Sequence, residues 1–146
     1  MPNIRALNKD KYNISDYRFR ELYYHCLQYE EWRAALKEKE NTLKAVQYSA
    51  VPSSGMPGDP TTKIAIECAE LFEKCAIIES VAMAADPELY KYLLYAVTHE
   101  NISFNILKMQ MDIPCERDRY YDRRRKFYFL LDRKLKNKMK GGNDGK

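Results

Sequence analysis

Apolar positions recur at steps of three and four along most of the chain, and no segment alternates apolar and polar residues as a paired strand would. From Ser15 onward, Phe19, Leu22, Tyr23, Cys26 and Tyr29 follow the helical step. Leu22, Tyr29, Leu36 and Leu43 lie seven apart, with Trp32 and Val46 on the complementary stripe. This predicts one long amphipathic helix to about Gln47, capped by Ser15 or Asp16. His25 and Lys39 interrupt the seven-residue seam, which favours a packed helix over a coiled-coil strand. The stretch SAVPSSGMPGDPTT at 49–62 breaks the pattern and reads as a loop. It ends in a start signal, Asp59 as cap and Pro60 at the first helical position. Ile64, Cys68, Leu71, Cys75, Ile78 and Ala82 then share one stripe. ADPELYKYLLYAVTHE repeats the device: Asp86 caps, Pro87 opens, and Leu89, Tyr90, Leu93, Leu94 and Val97 face inward. A short helix at about 102–110, capped by Asn101 or Ser103, and the turn MDIP lead to a last helix from about Glu116 to Lys136.

The expected fold is all-α, with about five helices: a long N-terminal helix and a C-terminal helix-turn-helix. The boundaries are 1–48 for the N-terminal tail and long helix, 49–59 for the loop, 60–136 for the helical core, and 137–146 for a disordered basic tail. Three of only five glycines fall in the last six residues, so little interrupts helices elsewhere. A chain of 146 residues can bury one core.

Charge changes this picture at one end. The net charge is +4, yet the segment from Glu116 onward holds twelve Lys/Arg against five Asp/Glu. The rest is mildly acidic, so a polyanion-binding surface is expected near the C-terminal end. On the last helix, Tyr120, Phe127, Leu131 and Leu135 form the burying stripe, with Tyr128 beside it. Arg119, Arg125, Lys126, Arg133 and Lys136 point away from that stripe, and Arg124 falls on it, its stem packed and its head reaching out. The plainest reading is a solvated face with Asp122–Lys126 and Asp132–Lys136 pairs. Arg-rich composition, interleaved aromatics and the second-helix position favour duplex DNA instead. On that reading Arg117, Arg119 and Arg123 lie nearest base edges. Arg124, Arg125 and Lys126 meet phosphates, Tyr121 offers a hydroxyl to the backbone, and Ser103 and Asn105 meet it from the preceding helix. Glu116 is expected to cap.

The segment NISFNILKMQMDIP resembles the first part of a sigma-factor region-4 type helix-turn-helix. YYDRRRKFYFLLDRKL resembles the recognition-helix end of the ArpU/RinA-type phage transcriptional regulators. PGDPTTK at 57–63, placed after a long first helix, fits the same order, so the resemblance covers about Ser15 to Leu135. It implies a helical DNA-binding regulator of phage or prophage origin that acts at a promoter, in the cytoplasm and nucleoid of a bacterial host. Lys108, Gln110 and Asp112 depart from the sigma-like pattern, Asp112 standing where a turn glycine is common. The stretch from Ile113 to Tyr120 is also longer.

Other chemistry finds little footing. His25 and His99 lie on separate segments and no ligand set surrounds them, so neither metal nor cofactor is expected. SSGMPGDP has no Lys-Ser/Thr ending and follows no strand, unlike a phosphate loop. Cys26, Cys68, Cys75 and Cys115 form no C-x-x-C pair and read as buried thiols of a reducing compartment. Cys115, in basic surroundings, is expected to have a lowered pKa. An enzyme is not expected. MPNIRALNKDKYN lacks the apolar core of a signal peptide, and no run approaches a membrane span. The competing readings are a protein-interaction module gripping RNA polymerase or a sigma factor, and a phage DNA-packaging adaptor. A homodimer through the N-terminal helix would suit tight binding of a short site.

Overall fold

The computed structural model describes residues 11–48 and 60–144. Among these residues it is all-helical, with six helices and no strand. They are α1 (Asp16–Leu27), α2 (Tyr29–Tyr48), α3 (Pro60–Ala85), α4 (Tyr90–Thr98), α5 (Phe104–Met111) and α6 (Arg117–Asp144). The expected first helix is present but interrupted at a single residue. Gln28 keeps near-helical angles (φ −80°, ψ −8°), and its amide donates back to the His25 and Cys26 carbonyls. This is one tightened turn. It divides the Leu22, Tyr29, Leu36, Leu43 series between two helices, so that series is not the seam of one continuous strand.

The chain forms two compact units, one of residues 1–28 and 77–146, the other Tyr29–Ala76. In the first, α1 packs on α4 and α6, and α5 packs on α4 and α6. Its core holds the expected α1 stripe of Phe19, Leu22, Tyr23 and Cys26. Ile78 and Ala82 from α3, Leu89, Leu93 and Val97, and Tyr120, Phe127, Tyr128 and Leu131 from α6 complete it. Leu135, expected on the same stripe, is only half-buried. Phe19 meets Tyr128 edge-on, with centroids 4.9 Å apart, the arrangement that the ring quadrupoles favour. A charged tie adds to this packing. Asp132, almost wholly buried, accepts from Arg18 Nε at 2.6 Å and pairs with Lys136 Nζ at 3.1 Å. Burial pushes the Asp132 carboxyl up, and the hydrogen bonds from Arg18 and Lys136 more than reverse this, holding its pKa below the ordinary value. The Asp132–Lys136 pair is the one expected from the spacing.

In the second unit Tyr29 and Leu36 are buried. Lys39 Nζ donates to Glu67 Oε2 at 2.8 Å, and Lys74 lies 5.2 Å from the centre of the Trp32 ring. The α3 stripe is graded: Ile64, Cys68 and Leu71 are half-buried, whereas Cys75, Ile78 and Ala82 are buried. Expected burial therefore holds for Cys26 and Cys75 but not for Cys68 or Cys115, which are half-exposed thiols.

The caps follow the sequence with one shift. Ser15 Oγ accepts from the Arg18 amide at 3.1 Å, and α3 opens at Pro60. The loop 49–59, Asp59 included, residues 1–10 and the last two residues lie outside the described residues. Helix α4 begins at Tyr90 rather than Pro87 because Asp86–Leu89 forms a separate turn. Asp86 Oδ1 accepts from the Glu88 and Leu89 amides at 3.0 and 3.3 Å, and so caps that turn. At the other end α6 runs past the expected stop at Lys136 to Asp144.

Candidate nucleic-acid interface

The short α5 and its exit turn set where α6 begins. Ser103 caps α5, its Oγ accepting from the Ile106 amide at 3.3 Å. At the far end Asp112 is left-handed (φ 51°, ψ 53°). That conformation favours glycine, and Asp is among the few other residues that adopt it. The amides of Asp112 and Ile113 both donate to the Leu107 carbonyl, and the Ile113 side chain is fully buried. Lys108 Nζ donates to the Ile113 carbonyl at 3.2 Å. The departures noted at Lys108 and Asp112 are thus accommodated: one braces the turn from outside, the other supplies its left-handed residue. Helix α6 follows, with the Tyr120 amide donating to the Glu116 carbonyl at 3.1 Å, the backbone position of a cap.

The nine residues expected to meet DNA separate into three groups. Ser103, Asn105, Arg117 and Tyr121 gather around the start of α5. Arg117 Nη2 donates to Asn105 Oδ1 at 2.8 Å, and its guanidinium lies 5.4 Å from the centre of the Phe104 ring. The Phe104 amide donates to the Tyr121 hydroxyl at 3.3 Å.

Arg119 and Arg123, one turn apart, both reach Asp86. Arg119 Nη2 and Arg123 Nε donate to Asp86 Oδ2 at 3.0 and 3.1 Å. Arg119 also meets Glu88 Oε1 at 3.3 Å, and Arg123 meets Asp122 Oδ2 at 2.7 Å. Asp86 is nearly buried, with 7% of its side chain exposed, so these bonds are made where water competes little. Burial raises its carboxyl pKa, and the hydrogen bonds from Arg119 and Arg123 with the Leu89 amide outweigh that and lower it overall. One carboxylate therefore caps the turn before α4 with one oxygen and holds α6 with the other.

Arg124, Arg125 and Lys126 form the third group. The Arg124 guanidinium lies 5.4 Å from the Phe19 ring centre and 5.3 Å from that of Tyr128. The expected Asp122–Lys126 pair is not made: Asp122 accepts instead from Arg123 and from Lys11 Nζ at 3.2 Å. No carboxylate among the described residues pairs with Arg124, Arg125 or Lys126.

Asp86 and Glu88 are the residues that sequence reasoning missed at this site. Two arginines four apart on one helix side signal that something acidic can bridge them, but the partners lie 31 to 37 residues away. Cys115 also differs from expectation. Burial raises its pKa, and the nearby Arg119 only partly opposes this, since the Asp86 carboxylate acts in the same direction as burial. No helix among the described residues is long and apolar enough to cross a membrane. No family model, no curated protein and no solved structure matches the chain.

Proposed function

We propose that the protein binds duplex DNA through the α5–turn–α6 unit and controls transcription. The observation that carries this reading is the run Arg124, Arg125, Lys126. These three consecutive cations have no carboxylate partner among the described residues, on a helix whose Arg119 and Arg123 are both paired. Unpaired cations along one helix supply the phosphate contacts that dominate affinity for duplex. Arg117, at the opening of α6 and linked to Asn105 of α5, makes the contacts that choose sequence on this reading, since the first turns of a second helix enter the major groove. Arg119 and Arg123 hold α6 in position through Asp86 rather than reaching bases. The resemblance to phage regulators extends the reading to a promoter-binding role.

Selection from a pool of random short duplexes tests this. Wild type enriches one sequence, and Arg117→Ala loses that selectivity while still binding. If no sequence is enriched but binding persists, a packaging-type duplex binder replaces the regulator.

A second reading rests on apolar side chains of the other unit. Ile66 and Phe72 on α3 are 55% and 63% exposed, apolar side chains that a bound protein would cover. They favour a protein contact, with RNA polymerase, a sigma factor or a second copy, which an activator would need beside its DNA contact. A stable complex formed without DNA, and lost in Phe72→Ser, supports it.

A further inference from the structure

We propose that the cavity bounded by Tyr23, His99, Ser103, Tyr121 and Arg124 is a binding site for a single phosphate group, with the Arg124 guanidinium as its main ligand. The cavity measures about 360 Å³, within the range of pockets that hold small ligands. Its lining contributes three hydroxyls, an imidazole, the Asn101 amide and one guanidinium, and no carboxylate. The lining is donor-rich and its one formal charge is the Arg124 guanidinium, which favours an anion, while the Glu100 carboxylate outside the lining acts on the Tyr23 hydroxyl.

Arg124 is the unusual member. It occupies the burying stripe of α6 and lies over two aromatic rings. Arg18, Arg117, Arg119 and Arg123 each have a polar partner. Arg124 has no ion pair or hydrogen bond among the described residues. A half-buried cation without a counter-charge is costly, and ring faces offset only part of that cost. The rings engage the flat faces of the guanidinium, while its N–H donors radiate in the plane. Those in-plane donors are the ones that grip a phosphate through two oxygens. Ser103 Oγ accepts from the Ile106 amide, which leaves its own hydrogen to donate. The site does not rest on the start of α5, whose Phe104 and Ile106 amides are already engaged.

A backbone phosphodiester of duplex DNA and a free phosphate monoester share this chemistry. Only the first source depends on the duplex reading. The test is a titration of the full chain with inorganic phosphate, followed by ¹H–¹⁵N NMR, against sodium chloride at matched ionic strength. Saturable shifts confined to the amides around Asn101–Ser103, His99 and Tyr121 are expected, with affinity at least roughly tenfold weaker in Arg124→Gln. Arg124→Lys keeps the charge but not the planar fork and should fall between. If the same Arg124→Gln change also flattens the salt dependence of duplex binding by about one phosphate contact, the natural source is the DNA backbone. If phosphate binding is lost and duplex binding is unchanged, the source is a free phosphorylated ligand. Wild-type shifts no different from those with chloride, or lying elsewhere, overturn the proposal, and do so even if Arg124→Gln fails to fold. A folded Arg124→Gln that binds phosphate as wild type does overturns it equally.

Discussion

Arg123 and Arg124 are neighbours in the sequence and opposites in the structure. Arg123 donates to two carboxylates, while Arg124 lies over two aromatic rings and meets no carboxylate among the described residues. Successive residues on a helix diverge by about 100°, so one faces the Asp86 turn and the other faces the core side next to α5. Arg119 is paired like Arg123, whereas Arg125 and Lys126 have no carboxylate partner among the described residues, although Lys126, seven residues on, lies on the same side of the helix as Arg119. A run of positive charge read from the sequence is therefore not a field of equal strength along the helix. Its paired members hold the fold together, and its unpaired members are available to a polyanion.

Breaking the paired side should produce the largest effect. Asp86→Ala removes the cap of the turn and strands two guanidiniums, and should destabilise the protein by about 2–3 kcal/mol, less than a fully buried pair because both arginines keep a third of their side chain in water. Urea unfolding measures it, and Asp86→Asn, which keeps the cap, should lose less. If Asp86→Ala unfolds like wild type, the clamp contributes nothing. Acid probes the same side without mutation. Asp86 and Asp132 both have folded pKa values below their ordinary 3.8. Their contribution is complete above that value, and is lost as pH falls from there through the lower folded pKa values. Unfolding midpoints measured between pH 6 and 2 should therefore begin to drop near pH 4, and Asp86→Asn should shallow that drop.

A smaller effect is expected on the buried stripe of α6. Tyr120 is fully buried, its hydroxyl has no hydrogen-bond partner among the described residues, and burial pushes its pKa well up. Tyr120→Phe should stabilise the protein by about 1 kcal/mol, because an unsatisfied buried hydroxyl costs on that order. A lowered melting temperature would mean that the hydroxyl has a role the packing does not explain. The smallest effect on stability belongs to the unpaired cations. Arg125→Ala with Lys126→Ala should change unfolding free energy by no more than about 0.5 kcal/mol.

Local rules made most of the fold legible in the sequence. The three- and four-residue steps marked the stripes of α1 and α6, and in part those of α3 and α4, where Ile64, Cys68, Leu71, Tyr90 and Leu94 are only half-buried, because periodicity reports which face is buried. Ser15, Pro60 and Ser103 announced helix starts because capping acts within three residues. The interruption at Gln28 was not legible, since no Pro or Gly marks it and the apolar steps continue across it. At the candidate site, the burial of Tyr120, Phe127, Tyr128 and Leu131 followed from spacing. The partners of Arg119 and Arg123 did not, because Asp86 and Glu88 come from the turn before α4 and meet them only once α4, α5 and α6 are packed. Asp86 had an adequate local explanation as a cap, which hid its second role. Spacing did suggest Lys126 as the partner of Asp122. A neighbouring guanidinium and Lys11 take that carboxylate instead, and this leaves Lys126 without a carboxylate partner among the described residues.

The division into holding and binding cations is tested most directly by the salt dependence of duplex affinity, compared between wild type and the Arg125→Ala, Lys126→Ala variant. The expected result is salt-sensitive binding by wild type and a slope of log affinity against log salt shallower by about two in the variant, with its stability intact. Identical slopes for the two proteins, or no duplex binding by wild type at low salt, would contradict the account.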